Sequence, residues 1–275
     1  AYNPFLLASK YAGVGVLTSP LYKQENGSFA LNFDDFAQKC ADPHCKLVFW
    51  CNPQNPTGHM WTTEELQYAA DIIQKYNLWV VSDEIHCDLV RCGLHHTPLA
   101  KIMPDYPKVI TCMSPSKTFN LAGLAFSNII IRDTDLRRRF KKRDKLSGMV
   151  NPLSLVAAQT AYEQGSAWHE ELKAYLDGNF AFMHNFFRAS LPDAVSYIPE
   201  ATYLAWVDLS RCLPHVTDLP EFFANNAGVL LEGGNALFVG NAAGYVRLNL
   251  AMPRMLLETG LTRIANAIHA EQAKK

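Results

Sequence analysis

Three short apolar runs, each closed by polar residues and set about thirty residues apart, do most to limit what this chain can fold into. They read "KLVFW" (46–50), "LWVVSDE" (78–84) and "KVITCMS" (108–114). Continuous apolar runs of this length suit strands covered on both faces, as in a parallel sheet. After the first run comes "CNPQNPTGHMW", a dense Asn-Pro-Gly loop. Thr62 then stands three residues before Glu65, the signature of a capping box, and "EELQYAADIIQKY" carries apolar residues at helical spacing. Strand, loop, helix and strand in this order predict a parallel α/β sheet with right-handed crossovers.

Further along, "SNIII" (127–131) reads as another strand and "TDLRRRFKKRDKLSG" (134–148) as a basic helical stretch. Residues 151–165 and 168–191 read as long helices. The last third mixes strand patterns, "ATYLAWVDLS" and "YVRLNLA", with helical ones, "LPEFFANNAGVLLE" and "LLETGLTRIANAIHAEQ". The expected architecture is α/β. A three-layer sandwich with a mainly parallel sheet spans 1–167, and a smaller α+β domain spans 168–275. No flexible linker separates them, so a long helix is expected to be shared.

The net charge of −1 gives no global field to attract nucleic acid or an anionic membrane. No run approaches the length that spans a bilayer, and "AYNPFLLASK" lacks the features of a signal peptide. The seven cysteines are odd in number, scattered and without a CxxC pair. They read as reduced thiols of a cytoplasmic protein, not as a disulfide framework.

In open α/β sheets, ligands bind beyond the carboxyl ends of the strands. Asn52 and Asn55 follow the first run. Asp83, Glu84 and His86 follow the second, and Ser114, Ser116 and Lys117 follow the third. Amide, carboxylate, hydroxyl and amine are together the set that holds pyridoxal phosphate. The amine forms a Schiff base with its aldehyde, and the carboxylate pairs with the protonated ring nitrogen. Hydroxyls take the phosphate, and the amide donates to the phenolate oxygen. Each group alone has an ordinary explanation: a loop carboxylate, a helix-start lysine, a turn. Their order at three successive strand ends does not.

Three other stretches invite different readings. Ser-x-Ser-Lys matches a serine-nucleophile motif, but the companion elements of that class are missing. "HCDLVRCGLHH" (86–96) is rich in Cys and His, but its spacing fits no common zinc site, and no metal is expected. "RRRFKKRDK" (137–145) lacks an aromatic stacking platform and reads as a solvated helix face, not a nucleic-acid surface.

On the stretches "NPQNPTG" (52–58), "SDEIHCDL" (82–89), "PSKTFNLAG" (115–123), "TYLAWVDL" (202–209) and "YVRLNLA" (245–251), the chain resembles the fold-type I pyridoxal-phosphate enzymes. Within them it is similar to the MalY/PatB group of cysteine-sulfur β-lyases, which includes cystalysin-like enzymes. The aminotransferases of the same fold usually carry Tyr where His86 stands.

The resemblance implies Lys117 as the Schiff-base lysine and the base that takes the Cα proton. It implies Asp83 on the pyridine nitrogen, Asn55 on the ring oxygen with His86 nearby, and Tyr2 stacked on the ring. Ser114 and Ser116 flank the phosphate, with Ser114 the better match. Arg247 clamps the substrate α-carboxylate, a task suited to guanidinium geometry. The implied activity is β-elimination on cystathionine or related cysteine S-conjugates, giving thiol, pyruvate and ammonia. An aminotransferase and a truncated, non-catalytic relative are the alternatives. The resemblance further implies a small sulfur amino acid as substrate, a homodimer, and a family segment that would precede Ala1 and complete the phosphate cradle.

Overall fold

The computed structural model describes residues 3–144, 150–238 and 240–274. It opens with α1 (Asn3–Tyr11), a hairpin of β1 (Leu21–Lys23) and β2 (Phe29–Leu31), and α2 (Phe33–Cys40). Next come β3 (Leu47–Cys51), α3 (Thr63–Lys75), β4 (Trp79–Asp83), α4 (Leu99–Ile102), β5 (Val109–Met113) and the one-turn α5 (Pro115–Thr118). Then follow β6 (Asn128–Ile131), α6 (Thr134–Arg143), α7 (Pro152–Gln164) and the long α8 (Ser166–Ser190). The chain closes with β7 (Leu204–Asp208), α9 (Leu219–Ala227), β8 (Glu232–Gly233), α10 (Gly234–Leu237), β9 (Tyr245–Asn249) and α11 (Arg254–Gln272).

Two compact units emerge. One comprises residues 33–53 and 60–173, the other the first 32 residues, 54–59 and 174–275. The sequence reading draws its boundary at 167/168. The structure has the change at 173/174, within α8, and groups the N-terminal hairpin and the 54–59 loop with the C-terminal part.

The first unit holds a four-stranded sheet in the order β3-β4-β5-β6. β3, β4 and β5 run parallel, as the crossover pattern predicts, and β6 runs antiparallel to β5. The β5–β6 link contains only α5 and a 3-10 turn at Ala122–Leu124, so the chain reverses without a full crossover helix. α3 forms as expected. The Thr62 hydroxyl accepts from Glu65 N at 3.2 Å while the Glu65 carboxylate accepts from Thr62 N at 2.8 Å. Leu66, Ala69, Ala70 and Ile73 are fully buried along one face. Burial of Leu66 and Ile73 contributes about 2 kcal/mol each.

The strand β3 departs from expectation. Val48 and Trp50 are buried, but Leu47 and Phe49, which alternate with them, are 42% and 39% exposed. β3 is an edge strand with one covered face, so its apolar run does not signal burial on both sides. Ile129 and Ile130 on the opposite edge, β6, are exposed as well. The basic stretch forms α6 with no buried residue, a solvated face, and its residues 145–148 lie outside the described residues.

The second unit builds a three-stranded antiparallel sheet, order β7-β9-β8. Phe180, Met183 and Phe187 of α8, Phe223 of α9, and Leu261, Ile264 and Ile268 of α11 close over Ala205, Val207, Val246 and Leu248 of that sheet. The sheet's other side carries Trp206 and Phe238. Among the described residues, no helix is long and apolar enough to cross a membrane.

Candidate active site

Strand register brings three sequence-distant polar groups to one line. Cys51, Asp83 and Cys112 are direct partners across β3, β4 and β5. The ladder continues one step beyond them: Asn52 N donates to Asp83 O at 2.9 Å and Glu84 N to Cys112 O at 2.8 Å. Side chains that leave the sheet at residues 52, 83 and 114 therefore do so at adjacent carboxyl ends, the usual ligand position in such sheets.

Asp83 is largely shielded, and burial raises its carboxyl above the usual range. A hydrogen bond from Ile85 N to Oδ1 (3.2 Å) and the charge of Lys117 offset this in part, while Glu84 adds to it. Lys117 is half-buried in α5 and makes no hydrogen bond or ion pair among the described residues. The Lys117 charge thus acts on a desolvated carboxylate.

The turn that presents Lys117 is heavily braced. Ser114 caps it, accepting from Ser116 N at 3.1 Å. Its hydroxyl also lies 2.6 Å from Phe126 O and 2.8 Å from Ser116 Oγ. Pro115 sits at the first helical position, where its fixed φ suits the helix. The Thr118 hydroxyl donates to Asp88 at 3.1 Å, and His169 Nε2 meets Asp88 O at 2.8 Å. Ser114 is buried and engaged within its own loop, whereas Ser116 is the more accessible hydroxyl.

Glu84 and His86 are both buried in the turn after β4. The Glu84 carboxylate accepts from Ser82 Oγ (2.8 Å) and Leu99 N (3.2 Å) and pairs with His96 Nε2 (2.9 Å). It is a brace for the 95–99 loop. In the Cys/His-rich stretch, Cys87 is a shielded thiol whose pKa burial pushes up, and His96 is committed to Glu84. Among the described residues, no group of three or more His, Cys, Asp or Glu is placed to hold a metal ion.

The remaining candidates belong to the other unit. Asn55 is buried, and its Oδ1 accepts from Arg247 Nη1 at 2.8 Å across 192 residues of sequence. Arg247 Nη2 is paired with Glu232, its direct partner in the β8–β9 ladder. The Phe238 ring lies under the guanidinium, 5.1 Å from centroid to Cζ. Tyr2 lies outside the described residues.

Within the first unit the structure gathers Asp83, His86, Ser114, Ser116 and Lys117 on the strand-end side, and within the second it joins Asn55 to Arg247. Sequence reasoning missed Asp88, Thr118 and Glu232. The first two flank quoted motif positions, but their pairing depends on packing. Glu232 ends an apolar stretch, and only the β8–β9 register shows its partner.

A mainly parallel sheet with polar groups at its strand ends, followed in the chain by an antiparallel α+β unit, defines the pyridoxal-phosphate-dependent transferase fold. The chain belongs to the aminotransferase class I and II family, whose model matches residues 1–264. It is 35% identical over 271 residues to cystathionine beta-lyase PatB of Bacillus subtilis, covering 97% of this chain and 69% of that protein. A pyridoxal-phosphate-bound C-S lyase from Staphylococcus hominis superposes with a TM-score of 0.93 at 44% identity, covering 98% of this chain and 68% of that one. Cystalysin from Treponema denticola, which contains pyridoxal 5'-phosphate, superposes with a TM-score of 0.92 at 33% identity, covering 98% and 69%. The chain thus spans about two thirds of the length of these relatives.

Proposed function

We propose that this chain carries out pyridoxal-phosphate-dependent C–S bond cleavage, a β-elimination on cystathionine or a related cysteine S-conjugate that yields thiol, pyruvate and ammonia. The observation that carries this reading is the pair at the strand ends: a half-buried Lys117 amine, without a hydrogen bond or ion pair among the described residues, whose charge acts on an Asp83 carboxylate whose ionised form burial disfavours. Such a carboxylate is completed by a cationic ring N–H, and such an amine by an aldehyde, so the residues fit the cofactor. The names of the similar proteins, lyases bound to this cofactor among them, support the same reading.

The residues divide the work as follows. Asp83 would hold the ring nitrogen in its protonated form. Asn55 and His86 would address the ring oxygen, Tyr2 would stack on the ring, and Ser116 with Ser114 would face the phosphate. When bound, the cofactor supplies an electron sink for negative charge at the substrate Cα. Lys117 Nζ takes the Cα proton, and the Cβ–S electron pair leaves with the sulfur. Arg247 holds the α-carboxylate through its guanidinium fork. A homodimer in the cytoplasm is part of this proposal, on the family resemblance.

An absorbance titration of the chain with pyridoxal phosphate tests the reading. A band near the visible edge that disappears in Lys117→Ala supports it, and no band at saturating cofactor overturns it. Pyruvate release from cystathionine, measured against keto-acid-dependent amino transfer, separates the lyase from an aminotransferase.

A further inference from the structure

We infer that Glu232 is a built-in carboxylate competitor on Arg247, and that it sets the affinity of this arginine for the carboxylate of an amino-acid substrate. The inference deepens the proposed role of Arg247 and rests on it. Arg247 is held from three sides, all within one unit. Asn55 Oδ1 accepts from Nη1 at 2.8 Å, the Phe238 ring supports the guanidinium plane, and Glu232 takes Nη2. The first two restraints are neutral and buried, Asn55 at 7% and Phe238 at 2% exposure. The third is charged, and the two partners differ in exposure: the Arg247 side chain is 10% exposed, the Glu232 side chain 52%.

That asymmetry makes Glu232 the releasable partner. A half-exposed carboxylate regains water when it swings away, so the ion pair is weak in net terms. Arg247 keeps its position, because Asn55 and Phe238 still hold it. Each Nη nitrogen carries two N–H groups, but a carboxylate that uses the fork brings a second negative charge beside the one Glu232 already places on Nη2, so the two compete for the guanidinium. Docking is then an exchange of one carboxylate for another. A ligand without a carboxylate has nothing with which to replace Glu232. The exchange is built into the fold, because Glu232 and Arg247 are direct cross-strand partners.

The test uses propionate as an unreactive carboxylate probe, titrated into the chain and followed by calorimetry. Glu232→Gln keeps the shape and removes the charge. It should tighten propionate binding by roughly 1.5- to fivefold, the range expected for loss of a partly exposed ion pair. Glu232→Ala should do the same, and Arg247→Ala should abolish binding. In steady state, KM for cystathionine should fall by the same factor, with the change on KM and not on kcat. Equal or weaker propionate binding in both Glu232 variants would overturn the inference, since Glu232 would then only position the arginine. A chain that cleaves no S-conjugate would refute the proposed function, while the propionate titration would still decide the role of Glu232.

Discussion

Thr118 donates a 3.1 Å hydrogen bond to Asp88, 30 residues earlier in the chain, and this contact ties the turn bearing Lys117 to the segment after β4. Thr118 is 1% exposed, so its hydroxyl has no water to turn to. Thr118→Val leaves the Asp88 carboxylate short of a donor and should lower the unfolding free energy by about 1–3 kcal/mol in urea denaturation. Thr118→Ser, which restores the hydroxyl, should recover most of that. If the contact also aims Lys117, the cofactor-dependent absorbance band should weaken in the valine variant and return in the serine variant.

Asp83 yields a pH-dependent prediction. Burial raises its pKa above the usual 3.8, so folding without cofactor disfavours the ionised carboxylate relative to the unfolded chain. The stability this contributes is present below the unfolded-state pKa and is lost as pH rises through the folded one. Asp83→Asn removes the dependence. Without cofactor, the variant should melt at a higher temperature than the parent near neutral pH, with the difference shrinking as pH falls toward about 4. With pyridoxal phosphate the order should reverse, because asparagine cannot pair with a ring cation. Thermal melts at several pH values, with and without cofactor, check both halves.

Gly58 tests how the 54–59 loop is seated. Its φ is +72°, and a Cβ there would lie 2.6 Å from Pro199 Cβ and 2.7 Å from Ala201 O. The latter is backbone, and Ala201 N also donates to Gly58 O at 3.0 Å, so neither side can retreat easily. Gly58→Ala should cost about 2 kcal/mol or more. Because Asn55 lies in the same loop, propionate binding by Arg247 should weaken in parallel. A variant as stable as the parent would show that the loop does not hold this position.

The α3 capping box gives a control remote from the chemistry. Thr62→Ala removes the acceptor for Glu65 N and should cost about 1 kcal/mol. Cofactor binding per folded molecule should be unchanged. Denaturant unfolding and the absorbance titration, run on the same samples, check the two statements.

The strand ends and α3 could be read directly from the chain because their causes are local. An apolar run stops at Asp83 because the next residues must turn, and Thr62 with Glu65 caps a helix through contacts three residues apart. No local pattern announces the N-terminal hairpin. β1 and β2 are three residues each, and they are stabilised by a turn at Gly27 and by Phe29 packing on Tyr197 and Tyr245. Those aromatic partners are far away in sequence. The apolar run of β3 reads as doubly covered, yet Leu47 and Phe49 are partly exposed, since composition records apolarity and not which face is covered.

Which chemical groups stand at the carboxyl ends of β3, β4 and β5 is encoded locally, because hydrogen-bond periodicity and turn chemistry act over a few residues. What those groups and their counterparts touch depends on the folded arrangement. Arg247 reaches Asn55 across 192 residues and meets Glu232 through the β8–β9 register, and Thr118 finds Asp88 across a packed turn. Such pairings are set by register and side-chain packing, which no local pattern encodes.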